Sequence, residues 1–183
     1  MRKVLALLCL CLSLFISVVY SKAGPAMAAG PDPDITTHKS CQYCGMDRGK
    51  FAHSRMLTEF DDGSSVATCS LHCTAVDLAN HIDKTPKVIK VGDFDSGALI
   101  DADKAEWVIG GSKQGVMTRN AKWAFSTKEK AAAYIKENGG KLASFEEAIK
   151  TAYEDMYNDT RMIRDRRKMM KMKKDEHDKV QSK

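Results

Sequence analysis

Two cysteine pairs, set a hairpin's length apart, constrain this chain more than any other feature. The first reads His38-Lys39-Ser40-Cys41-Gln42-Tyr43-Cys44-Gly45-Met46 and the second Cys69-Ser70-Leu71-His72-Cys73. The remaining two cysteines, Cys9 and Cys11, fall inside an apolar N-terminal run. Thiolates, imidazoles and thioethers form the donor set that selects soft or borderline metals such as Cu(I) and Zn(II). In Cys41-x-x-Cys44 a tight turn lets both sulfurs reach one ion, and Gly45 lets the backbone fold back beneath them. In Cys69-x-x-x-Cys73 the pair spans a strand end and a first helical turn, where residues four apart share a face. His72 points elsewhere on that turn and is the weaker candidate ligand.

Three chemistries compete for the four sulfurs. A closed tetrahedral Zn(II) site would use two knuckles as zinc ribbons do. Two disulfides, with Cys41–Cys44 as an exchange pair, would suit an oxidising compartment. A thiol–thioether copper site would add Met46, because a thioether favours Cu(I) and offers Zn(II) little. Met117, after a Gly-rich loop, is a second candidate thioether. Of the histidines, His38 could close a mononuclear site, whereas His53 and His81 read as structural. Asp61-Asp62-Gly63 lacks the alternating oxygen ligands of a calcium loop and reads as a hairpin turn. Neither a phosphate-binding loop nor a Ser-His-Asp signature is present.

Export explains the first residues. Met1-Arg2-Lys3 is a positive start, Val4 to Tyr20 an apolar run, and Ala26-Met27-Ala28 a small-x-small cleavage site. Residues 1–28 are therefore expected to be a signal peptide, with 29–37 a Pro-containing linker. The run is short for a spanning helix, which needs about 20 apolar residues, so cleavage is favoured over anchoring. The net charge of +5 is unevenly spread. Residues 1–29 carry three basic groups, and 161–183 carry ten basic against four acidic ones, which leaves −4 on 30–160. An acidic core argues against nucleic-acid binding, while the basic, Met-rich tail, 151–183, leaves room for membrane association.

The pattern between these ends repeats. Strands are expected over Phe51–Phe60 and Ser65–Thr68, a helix over Leu71–Ile82, and a strand at Val88–Val91. After a turn-rich connector, Asp93–Asp103, come a strand at Ala105–Ile109, another at Trp123–Phe125, and a helix from Ser126 to Asn138. Gly139-Gly140 stops that helix, and Lys141–Ala143 closes the second pass. The fold class is α+β: two similar ββαβ units, about 38–93 and 94–145, within one domain of 38–150, plus a charged C-terminal helix or tail. Only the first unit carries cysteines.

The ordered segments Cys41-x-x-Cys44-Gly45-Met46, Phe60-Asp61-Asp62-Gly63, Val108-Ile109-Gly110-Gly111-Ser112, Gly115-Val116-Met117 and Ala124-Phe125-Ser126 resemble the nitrous oxide reductase accessory proteins, the NosL family. The resemblance covers about residues 38–148. It implies two ββαβ units related to the organomercurial lyase fold. It also implies an exported Cu(I)-binding metallochaperone, not an enzyme, that serves a client copper enzyme or its maturation machinery in the periplasm. The family's knuckle falls on Cys41, Cys44 and Met46, and its Gly-x-Met segment on Met117. Cys69 to Cys73 lies outside that pattern. With it the candidate metal set becomes Cys41, Cys44, Met46, Cys69, Cys73, His72 and Met117. The alternative is a structural or interaction module holding Zn(II) on the same cysteines. A carbon–mercury lyase is a further alternative, with Asp61 or Asp62 as proton donor. No oligomeric state is implied.

Overall fold

The structure, a computed structural model, describes residues 32–181. The expected signal peptide and the start of the expected linker lie outside the described residues. None of the described helices is long and apolar enough to cross a membrane.

A short helix, α1 (Pro33–Thr37), leads into the first cysteine knuckle. The first repeat then begins at β1 (Met56–Phe60), whose side chains alternate between buried and half-buried. Residues 51–54, expected as the start of this strand, form a turn instead. The Phe51 carbonyl accepts from the amides of Ser54 and Arg55, at 3.0 and 2.9 Å. Gly63, at φ 81°, and an Asp62 carboxylate accepting from the Ser64 amide close the hairpin to β2 (Ser65–Thr68). Helix α2 (Leu71–Asn80) follows, then β3 (Pro86–Gly92), which returns along the other edge of β1. The expected connector after β3 contains one more strand, β4 (Leu99–Asp101).

The second repeat has the same grammar. It comprises β5 (Glu106–Ile109), β6 (Lys122–Phe125), α3 (Lys128–Asn138) and β7 (Lys141–Ala143). Thr127, not Ser126, is the N-cap of α3, its side chain accepting from the Lys130 amide. The sheets run β2-β1-β3-β4 and β6-β5-β7, all neighbours antiparallel. In each repeat the first strand lies centrally, flanked by the second strand and the one after the helix.

In the second sheet β5 and β6 are covered on both faces, which accounts for the apolar runs Trp107–Ile109 and Trp123–Phe125, whereas the edge strand β7 is largely exposed. Trp107, Ile109 and Ala124 face one core with Leu71, Ala75, Phe145 and Ala148. Val108, Trp123 and Phe125 face a second core that contains Cys41, Cys69 and Cys73. The cysteines thus sit on the second repeat's sheet, although every one comes from the first repeat.

The C-terminal segment is one continuous helix, α4 (Phe145–Gln181), with no boundary at residue 150. A capping box starts it: the Ser144 amide donates to Glu147 at 2.7 Å, and the Glu147 amide to Ser144 Oγ at 3.2 Å. Ala148, Ala152 and Met162 are buried, and beyond Ile163 the helix is exposed.

The stretch expected as a linker is bound to the core by ion pairs. Arg48 and Arg55 are fully buried, and Asp34 lies between them, 2.8 Å from the Arg48 guanidinium and 2.9 Å from that of Arg55. Asp32 adds a 2.6 Å contact to Arg55, which also donates to the Gly97 carbonyl. Burial alone would raise the Asp34 carboxyl, but the two guanidiniums outweigh it and hold it below the usual carboxylate range. The resulting stabilisation is complete above the unfolded-state pKa, about 4, and is lost as pH falls through the lower folded value. Asp34→Ala leaves the buried Arg48 without an anion and Arg55 with Asp32 alone, and should cost about 3–5 kcal/mol in urea denaturation at neutral pH. Its unfolding free energy should also respond less to acid than the parent's. A variant as stable as the parent would contradict this assignment.

Candidate metal centre

The first knuckle is shaped by its own backbone. The Cys41 amide donates to the Met46 carbonyl at 2.8 Å, and the Gly45 amide to the Cys41 carbonyl at 2.9 Å. Gly45 adopts φ 76°, a conformation that only glycine reaches without cost. The amide of Cys44 points at the Cys41 sulfur and that of Met46 at the Cys44 sulfur. The Tyr43 hydroxyl donates to Asp77 at 2.5 Å and fastens the knuckle to α2. Burial, reinforced by that carboxylate, raises the Tyr43 pKa to about 12.

The second pair flanks the N-terminus of α2. Cys69 follows the last residue of β2, Ser70 is the N-cap residue, and Cys73 lies in the first turn. The Ser70 side chain makes no capping bond; its hydroxyl lies 3.9 Å from the Cys69 sulfur instead. A helix N-terminus favours negative charge, which suits a thiolate site.

These segments bring the four sulfurs within 4.8 Å of one another, all as free thiols. Cys44 and Cys69 are 3.4 Å apart, and Cys69 and Cys73 3.8 Å. The sulfurs of a tetrahedral site with 2.3 Å bonds would be separated by about 3.8 Å. Cys41, Cys69 and Cys73 are buried, and Cys44 is half-buried. Hydrogen bonds from the Cys44, Cys69 and Cys73 thiols hold Cys41 far below the usual thiol range. Hydrogen bonding to Cys41 and Cys44, with burial added, pushes Cys69 and Cys73 far up. For Cys44 the contact with Cys41 opposes ionisation, but those with Cys69 and Cys73 outweigh it, and its pKa settles at about 7.

Met46 and Met117 lie beside the cluster, packed on the same core. Both line a solvent-open cavity of about 570 Å³ whose wall includes Cys44 and His53. Burial lowers the His53 pKa, so its imidazole is neutral at neutral pH. Met117 is the one described non-glycine residue at positive φ, 62°, a cost that tends to persist at functional sites. His72 is not brought to the sulfurs. It turns to the opposite side of α2 and lies 3.6 Å from the Asp159 carboxylate on α4. His38 is also outside the cluster, its carbonyl accepting from Arg48 at 2.8 Å. The methionines of the charged tail read from the sequence as a solvated amphipathic face rather than as copper scavengers, yet two of them, Met162 and Met170 on α4, line the same cavity. Their spacing of eight residues on one helix was the available signal. Among the described residues no carboxylate lines the cavity, and Asp62, a candidate proton donor, lies instead at the β1–β2 hairpin, 2.9 Å from Lys84.

A repeated ββαβ scaffold that gathers four thiols beside thioethers defines a protein able to hold a soft metal ion on sulfur. The NosL family model matches residues 32–153, two thirds of the chain. The chain belongs to the NosL family, whose members are accessory proteins, not enzymes. It is similar to the crystal structure of the copper chaperone NosL from Shewanella denitrificans. That match has 25% identity and a TM-score of 0.49, over 68% of this chain and 96% of the other. The solution structure of apo-NosL from Achromobacter cycloclastes matches at 26% identity and a TM-score of 0.34, over 49% of this chain and 81% of the other. Among curated proteins, none matches.

With Cys69 and Cys73 protonated at neutral pH, a metal that recruits them must displace their protons. Metal affinity should therefore rise with pH through the neutral range. Calorimetric titration in buffers of different ionisation enthalpy should show net proton release, and binding without it would contradict this arrangement.

Proposed function

We propose that this protein is an exported, periplasmic carrier of Cu(I), which it delivers to a client copper enzyme such as nitrous oxide reductase or to its maturation machinery. The observation that supports the reading best is the asymmetry of the cluster. Three sulfurs are buried, while Cys44 is half-buried and opens onto a cavity lined by Met46 and Met117. A purely structural metal would be better served by a closed shell. A carrier must exchange its ion one ligand at a time, which requires an accessible sulfur and neighbouring donors that hold the ion weakly. The thioethers supply that weak hold and favour Cu(I) over Zn(II). The NosL membership and the N-terminal export pattern agree with this role. The basic face of the C-terminal helix suits contact with an anionic membrane surface and gives no reason to invoke nucleic acid.

One observation favours a second reading. The sulfur separations fit a tetrahedral Zn(II) site on two knuckles, so a structural zinc is the competing account.

The two are separated by anaerobic metal competition. Purified protein should take up one Cu(I) per chain from a weak chelator and surrender it to a strong one. Cys44→Ser should lower Cu(I) affinity by about tenfold or more while leaving the fold intact. Protein that retains Zn(II) and takes up no Cu(I) would overturn the copper reading in favour of the zinc one.

A further inference from the structure

The copper reading leaves one feature unused: the extension of α4 beyond residue 153, where the family match ends. Its residues Met162, Ile163, Arg166, Arg167 and Met170 form one wall of the cavity that Cys44 opens onto. They recur at three- to four-residue spacing and so share a helix face. The wall is tied to the rest: with the Gln114 amide oxygen turned inward, it accepts from the Arg166 guanidinium at 3.1 and 3.3 Å. Met162 is buried, and its sulfur accepts one weak hydrogen bond, 3.4 Å from Arg119 Nε. A thioether sulfur keeps a second lone pair for a metal. Met170 is exposed near the outer part of the helix.

We propose that Met162 and Met170 form a thioether port through which Cu(I) passes between solvent and the cysteine cluster. The proposal rests on the copper reading above. Three observations carry it. At about 570 Å³ the cavity is far larger than an ion, so it admits an ion still attached to a donor molecule. Its lining holds five soft donors: Met170, Met162, Met117, Met46 and the half-buried Cys44. Thioethers bind Cu(I) more weakly than thiolates, so the ion is passed inward without being trapped. Arg166 and Arg167 at the same wall fix the class of donor. A Cu(I) held by thiolates or by an anionic chelator is negatively charged and is drawn to two guanidiniums, whereas a free hydrated cation is repelled.

The test is the rate of anaerobic loading from the anionic Cu(I)–bicinchoninate complex, the weaker of the common coloured chelates, followed by the loss of its colour. Met162→Leu with Met170→Leu should load about tenfold more slowly than the parent while reaching the same final occupancy. Leucine conserves the volume of both side chains. Met170→Leu alone, at an exposed position where folding is not in question, should be slowed in part. Met169→Leu with Met172→Leu, on the same helix but outside the cavity, should load at the parental rate. A Met162/Met170 double variant that loads as fast as the parent overturns the port while leaving the copper reading intact. A parent that takes up no Cu(I) overturns both.

Discussion

The buried guanidinium of Arg48 holds the two cysteine segments at a common distance, and the remainder of the site depends on it. It donates to the carbonyl of His38 ahead of the first pair, and to that of Thr68 immediately before Cys69, at 2.8 and 3.0 Å. A further bond reaches the Met56 carbonyl in β1. Backbone contacts add to this frame: the Gln42 amide donates to the Ala67 carbonyl, and Ser54 Oγ to that of Cys69. Removing a charge of this size from water costs several kcal/mol, which Asp34 and four carbonyl acceptors offset. The arrangement explains why residues 32–37 belong to the domain. They supply the anion without which Arg48 could not be buried, and so the knuckles could not meet.

With the segments held together, the thiols share their ionisation. Cys41 is the most readily ionised, held low by hydrogen bonds from the other three thiols. Cys44 stands apart: its contacts with Cys69 and Cys73 leave it ionisable near neutral pH, and its position at the cavity wall leaves it reachable from solvent. Burial of three sulfurs with the fourth half-buried suits the proposed carrier, which must both hold a soft ion and release it.

Much of this was legible in the chain. The Asp61-Asp62-Gly63-Ser64 turn, the apolar strands and the Gly139-Gly140 stop each have a local physical cause, so the two ββαβ units could be read from neighbouring residues. The cysteine pairs were legible by their spacing. What escaped was long-range. The pairing of Asp34 with Arg48 and Arg55 joins residues 14 and 21 apart across a turn, which no periodicity announces. His72 sits between two clustered cysteines in sequence, yet the helical rotation of α2 aims it at Asp159, on a helix 87 residues away. The methionines of the last helix, interleaved with lysine and arginine, read as a solvated tail. Only the packing of α4 over the loop at 114–117 shows that two of them face the site. Local causes encode the elements, and the charges buried between them decide which elements converge.

The account's central claim is that sulfur from both cysteine pairs meets on one soft ion. X-ray absorption at the copper edge of anaerobically loaded protein, compared with a Cys69→Ser, Cys73→Ser variant, tests it most directly. The parent should show Cu(I) in an all-sulfur shell, and the variant should lose sulfur neighbours from that shell. An identical shell in both proteins, or one built of nitrogen and oxygen, would contradict the convergence on which the site is founded.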